Sequence, residues 1–501
     1  MATTIYGVTN EQLLVYTLTV EMQVPAKSLS VKGFIRHAEV EPGRIADVRI
    51  WAGVVDGMGV LTPGHGDWCI DANGAALLPG LHDHHLHLFS LASSLASVDC
   101  AEHGALTAPA FTALLRSRAA MPRASRWLRV VSYHESIAGE LDRDWLDQVV
   151  PHVPVRVQHR SGRLWVLNSQ ALRHVQGDLP EQAVPGERQS GHHTGRFYDA
   201  DAWMRTRTAT GMPPLREVSE LLSTWGVTGV TDASPDNGVA EFDHFVSERE
   251  RGHLLQEVLV MGSDALWHQQ PRAGVLAGPR KFHHHGGDLP DFEVYANEIR
   301  AAHSQGRPIA VHCVTLSELM FTLCALQHAG PLPGGDRIEH ASVVSPDALS
   351  MMAGLGLTVV TQPNFVLERG DAYAASVDTD EQPWLYRLRS LMAHGIPLGG
   401  GTDAPFGRPS PWVAMEAAVR RKSRSGLVLG LEEALTPEEA LALFLSAPGA
   451  PGGPARRIEV GAPANLCLID RSWAHARRSL AQVRVAATVH AFDTSRPCCY
   501  I

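Results

Sequence analysis

Eight short runs rich in Val, Ile, Leu or Thr recur along the chain, and each ends in polar or ionisable residues. They are "AALLPGLHDHHLH", "WLRVVSYHE", "VTGVTDAS", "PRKFHHH", "PIAVHCVT", "RIEHAS", "LTVVTQPNF" and "IPLGGGTDAP". Helical patterns lie between several of them. "DFEVYANEIRAAHSQG" carries apolar residues at helical spacing and a Gly stop, and "TPEEALALFLSAPG" opens with a capping box, Thr436 and Glu439, and Pro437 at its first position. Continuous apolar strands alternating with helices make a parallel sheet covered by helices, and eight such units favour an α/β fold of the (β/α)8 TIM-barrel type. Before residue 80 the rhythm differs: "FIRHAEV", "ADVRIWAGVV" and "WCIDANGAALLPG" read as strands between Gly and Pro turns, and "IEVGAPANLCLIDRSW" returns to that pattern. The expected organisation is a barrel over residues 79–451 and a small β-sandwich domain formed by both chain ends, residues 1–78 with 452–501.

Charge and cysteine usage narrow the function classes. Asp and Glu outnumber Lys and Arg 53 to 43 and the basic residues form no long run, which excludes a nucleic-acid footprint. No stretch of 18 apolar residues is present, so no membrane span is expected. "MATTIYGVTNEQLL" lacks a charged segment followed by an apolar one, so no secretory leader is expected. The seven cysteines are scattered and form no CxxC pair, which suits a reduced, cytoplasmic setting. Histidine is the one unusual count, at 26.

In a barrel of this type chemistry sits at the C-terminal ends of the strands. The strand-end residues are His85 and His87, then Lys281, His312, His340 and Asp403. Residues two apart in a strand face the same side, so His85 and His87 can both point into the barrel mouth. Imidazole, carboxylate and a modified lysine suit zinc, manganese, iron or nickel. A lone strand-end histidine is more often a core or surface residue than a ligand; five strand ends carrying compatible groups are much harder to assign to packing. By alternation His82 and His84 face away from His85, which points to a supporting role or a subunit contact.

Together "LLPGLHDHHLHL", "PVRVQHRSGRLWVLNSQAL", "GVTGVTDAS", "PIAVHCV", "RIEHAS", "GGTDAPF" and "GAPANLCLID" resemble the amidohydrolase superfamily, in its branch of N-acyl and N-substituted formamide hydrolases. The resemblance implies two divalent metal ions, zinc first, with manganese, iron or nickel as alternatives. His85, His87 and Asp403 would hold the more buried ion, His312 and His340 the second, and Lys281 would bridge them as a carbamate; the alternative for Lys281 is a lysine closing an ion pair. Asp83 looks like the residue that orients a ligand near the first ion. Where the family usually has Gly-His, this chain has Arg163, which reads equally as a bidentate clamp on a substrate carboxylate or as a surface arginine. His283, His284 and His285 follow the bridging position, and Gln362, His134 and Glu135 also sit at strand ends. His283, His285 and Gln362 are taken as substrate-binding. Trp165, Phe365, Trp384, Tyr386 and Phe406 are core by default, with some available to wall an apolar pocket.

These residues imply a metal-dependent hydrolase that cleaves a non-peptide, amide-type C–N bond of a small molecule. A bound cation lowers the pKa of water from about 16 to about 7 and polarises a carbonyl. Asp403 would accept the proton of the water and pass it to the leaving nitrogen. Alternatives on the same scaffold are a mononuclear deaminase, a binuclear esterase or lactonase, and a non-catalytic binding protein. A homodimer is compatible with the sequence.

Overall fold

The computed structural model describes residues 32–100, 106–121, 127–161, 163–177, 179, 183–208, 211–284, 289–330, 334–491 and 498–500. Eight strands form one sheet in chain order: β1 (Leu81–Leu86), β2 (Val227–Asp232), β3 (Glu257–Gly262), β4 (Val275–Phe282), β5 (Ile309–Cys313), β6 (Arg337–His340), β7 (Thr358–Thr361) and β8 (Leu398–Gly400). The registers from β2 to β8 are all parallel. β1 and β8 are the first and last strands of this sheet. Backbone bonds tie their ends together, Asp403 N to His85 O at 2.8 Å and His87 N to Ala404 O at 2.9 Å, so the barrel is nearly closed.

The strands are buried on both faces; all six residues of β1, four of them His or Asp, and all six of β2 are buried. Two close approaches require glycine. A Cβ on Gly229 would lie 2.4 Å from His82 Nδ1, and one on Gly401 would lie 2.5 Å from the His85 Cβ. Helices follow the strands with the expected caps. Asp291 accepts from Val294 N at the start of the helix Phe292–Ser304, Thr315 and Glu318 box the helix Leu316–Ala329, and Thr436 and Glu439 box Pro437–Ala442.

One of the eight expected barrel strands lies elsewhere. "WLRVVSYHE" supplies Leu128–Tyr133 to a separate five-stranded sheet, with Val98–Asp99, Val155–His159, Leu164–Leu167 and Arg196–Tyr198. This sheet is inserted between β1 and β2 and has its own core around Phe111, Leu115, Val130, Leu146 and Val157. Asn168 pins it from within: its Nδ2 donates to Val150 O and Val153 O, and its Oδ1 accepts from Val155 N and Ala171 N. The missing barrel strand is β3, "EVLVMG". It ends in glycine without an ionisable residue, so a search for strands with polar ends passes over it. A short apolar strand before a helix also carries no mark of which parallel sheet it joins.

The chain divides into two compact units. One holds His82–Leu222 and Gly229–Ala455; the other holds the chain up to Leu81, Ser223–Thr228 and the chain from Arg456 on. The second unit contains two four-stranded sheets. One is Gly33–Glu41, Arg44–Trp51, Val54–Gly59 and Trp68–Asp71; the other is Leu77–Pro79, Leu466–Ile469, Val485–His490 and Cys498–Tyr500. Ile35, Val48, Val55, Leu77, Leu466, Leu468 and Val489 share one core. Among the described residues no helix is long and apolar enough to cross a membrane.

Candidate active site

β1 places its side chains by alternation. His82 and His84 turn into packed interior, where His82 Nε2 meets Thr231 Oγ1 at 3.0 Å and His84 Nε2 meets Ser446 Oγ at 2.9 Å. Asp83, His85 and His87 take the other face. Asp403, just beyond β8, lies 3.2 Å from His87 Nε2 and 3.5 Å from His85 Nε2 through Oδ1. One ligand atom from each of His85, His340 and Asp403 falls within 4.8 Å of the others, and all three residues are buried. The His312 ring lies 4.4 Å from that of His340 between centroids. Lys281, at the end of β4, is buried, and among the described residues its Nζ has no hydrogen-bond partner.

The donor set fits a divalent cation: imidazoles and a carboxylate converge at strand ends, with a buried amine beside them that no described residue hydrogen-bonds. Burial pushes His340 down to about 3 and pushes His312 down as well, which favours the neutral ring of both at pH 7. Burial works to raise the Asp403 carboxyl, but the imidazoles of His87, His85 and His340 outweigh it and hold it at about 2. Burial also pushes the Lys281 amine down to about 8, against the pull of Glu339. Backbone strain marks the same place: His340 and Asp403 sit at φ +69° and +55°, each costing on the order of 1 kcal/mol or more.

Each of three site histidines has a partner on its Nδ1. Glu339 Oε2 takes that of His85, Gln362 Oε1 that of His340 at 2.7 Å, and Ser234 Oγ that of His87 at 3.0 Å. The expected orienting role of Asp83 is corrected by this geometry. Its carboxylate accepts from Thr402 N, Thr402 Oγ1 and the backbone N of His85, so it clamps the end of β1 to the segment after β8 and touches no ring nitrogen. Burial pushes Asp83 up to about 7, against the bonds from Thr402. Gln362, expected to meet substrate, is buried and supports His340. Glu339 and Ser234 were not singled out by the sequence. A signal for Glu339 exists in "RIEH", where two opposite charges two residues apart share one face of a wholly buried strand.

His283 follows Lys281 by two residues and sets its ring 4.1 Å from that of His312. His285 lies outside the described residues. Arg163 is not brought to this cluster. Its side chain is 74% exposed and closes a bidentate pair with Asp199, Nε to Oδ1 at 2.7 Å and Nη2 to Oδ2 at 2.6 Å. Its fork is already satisfied, and the cavity it lines with Glu135, His159 and Tyr198 contains none of the barrel ligands. A second cluster, His134, Glu135 and His159, also gathers ligand atoms within 4.8 Å. There Ser136 N and Ser161 N donate to the two Nδ1 atoms, which places each ring proton on Nε2, facing Glu135. It reads as two donors on one carboxylate. Trp165, Phe365 and Tyr386 are core, Trp384 packs partly buried against it, and Phe406 is exposed with its ring edge-on to His87 at 5.5 Å.

The model of the amidohydrolase family matches residues 69–197 and 255–491. The chain belongs to the amidohydrolase family. The match spans β1, the inserted sheet and β3 to β8, and so includes every residue of the strand-end cluster. This amidohydrolase is 25% identical over 459 residues to the N-substituted formamide deformylase of Arthrobacter pascens, covering 80% of this chain and 84% of that one. Two solved structures share the fold, both described as uncharacterized metal-dependent hydrolases. The one from Pyrococcus horikoshii OT3 is 21% identical with a TM-score of 0.69, covering 88% of this chain and 96% of that one. The one from Pyrococcus furiosus is 21% identical with a TM-score of 0.68, covering 88% and 98%. The chain is therefore a hydrolase of amide-type C–N bonds, and its strand-end donor set fits a divalent cation.

Proposed function

We propose that this amidohydrolase removes a small acyl group, formyl foremost, from the nitrogen of an N-substituted amide at a centre of two divalent ions. The observation that carries the reading is the strand-end cluster of His85, His340 and Asp403 beside the buried Lys281 amine, which has no hydrogen-bond partner among the described residues. His85, His87 and Asp403 would hold one ion, His312 and His340 the other, and Lys281 as a carbamate would serve both. Zinc is the first candidate for this ligand set, with manganese, iron or nickel open. A bound divalent ion supplies Lewis acidity to the carbonyl and to water. The chain's own residues do the rest. Asp403, ionised at neutral pH, takes a proton from the attacking water and returns it to the leaving nitrogen, because an amine departs only once protonated. Gln362 and Ser234 hold the rings of His340 and His87. Phe406 offers an apolar face beside His87 for the N-substituent. We read the two sheets that share one core as a small β-sandwich domain built from both chain ends. The five described free cysteines fit a reducing, cytoplasmic setting.

A panel of N-alkyl and N-aryl formamides, the matching formate esters and amino-substituted heteroaromatic rings tests the reading. The expected result is the highest kcat/KM on the formamides, with amine and formate released in equal amounts. Ammonia release from the rings without amide cleavage would make the chain a deaminase, and cleavage of the esters alone would make it an esterase.

A further inference from the structure

We propose that Arg337 and Glu339 are positioning residues that lock the ring tautomer and orientation of His85 for metal binding. The proposal rests on the metal-centre reading above. All three side chains are buried, at 2%, 0% and 1% relative exposure. Arg337 and Glu339 are two residues apart on β6 and so face the same way. Glu339 Oε2 contacts His85 Nδ1, and Glu339 Oε1 contacts Arg337 Nε. The same guanidinium donates through Nη2 to His84 O at 3.0 Å, the carbonyl immediately before His85.

The chemistry follows from what each group can do. An ionised carboxylate only accepts, so the Nδ1 of His85 must carry the ring proton. The Nε2 lone pair is then free, and it is Nε2 that faces Asp403, at 3.5 Å. Arg337 occupies the second carboxylate oxygen and ties the pair to the β1 backbone, which fixes ring rotation as well as tautomer. His340 and His87 have neutral partners, Gln362 and Ser234. His85 is backed by a carboxylate, itself paired with Arg337, which holds the Nδ1 proton and leaves Nε2 as the free donor atom. The ion that His85 holds should therefore depend on Glu339.

The test is the Glu339→Gln variant of the full chain, loaded with Zn2+ or Co2+ and titrated against a chelator. Gln keeps the shape and an acceptor oxygen but loses the charge. The ion held by His85 should bind about 10- to 100-fold more weakly, and the visible spectrum of bound Co2+ should change. If Glu339 served only as a buried partner for Arg337, stability would fall while affinity and spectrum stayed as in the wild type, which would overturn the proposal. The lone guanidinium could destabilise the single variant, so Arg337→Gln/Glu339→Gln, which removes both charges, is measured alongside with the same expectation. A measurement on the unaltered protein is independent of folding. With 15N-labelled histidine, the His85 signal, assigned by its loss in His85→Gln, should report a protonated Nδ1; a protonated Nε2 would refute the relay. A wild-type protein that takes up no divalent ion would instead refute the metal-centre reading itself.

Discussion

Asp403→Asn is expected to lower turnover by about 100-fold or more, the range in which a positioned general acid-base group contributes. The amide is the same size and keeps an oxygen toward His85 and His87, so the barrel should fold and much of the bound metal should remain. What is lost is the capacity to take a proton. Asp403 is ionised at neutral pH because the imidazoles around it outweigh its burial, so it has a vacant acceptor when water must be deprotonated. C–N cleavage feels the loss twice, since the same proton is needed on the leaving nitrogen. Steady-state assays of the variant beside its metal content read both quantities, and near-normal turnover would mean that another group carries the proton.

Lys281→Ala is expected to lose one of the two ions and most activity, about 100-fold or more, the scale on which removal of one pre-organised electrostatic group is felt. The amine is buried and has no hydrogen-bond partner among the described residues, which is costly for a plain ammonium and reasonable for a group meant to carry something more. Carboxylation replaces the cation with an anion whose two oxygens can serve two metals. A short carboxylic acid added to Lys281→Ala should restore part of the turnover by supplying the same oxygens. Lys281→Arg should not be rescued, because the guanidinium fills the space with the wrong charge. Full activity of Lys281→Ala without added acid would place the bridge elsewhere.

The strand-end cluster was legible because strand alternation is rigid. His85 and His87 share a face, His82 and His84 share the other, and the structure keeps both. His340 and Asp403 were legible because strand ends in a parallel barrel converge on one mouth. Long-range partnership was not legible. Asp83, Glu339 and Gln362 are all polar groups near ligands, and which one bonds a ring nitrogen depends on distances across the barrel that no spacing encodes. Asp83 spends its carboxylate on Thr402, 319 residues away, while the ring of His85 finds Glu339, 254 residues away. Which of the two readings of Arg163 applies was not legible for a similar reason: the Asp199 that pairs with its fork comes from a strand end 36 residues on. The inserted sheet was misread because Leu128–Tyr133 has the composition of a barrel strand and polar residues after it, whereas β3 has the composition without the polar end.

The most direct test of the account is metal-dependent amide hydrolysis itself. The purified chain is stripped with a chelator, assayed on an N-substituted formamide, reloaded with Zn2+ and assayed again, with metal counted by elemental analysis; His85→Ala and His340→Ala are carried in parallel. The account predicts no turnover when stripped, recovery with about two ions per chain, and variants that fold but bind less metal and stay inactive. Undiminished hydrolysis by the stripped protein, or full metal content and activity in both variants, would contradict it.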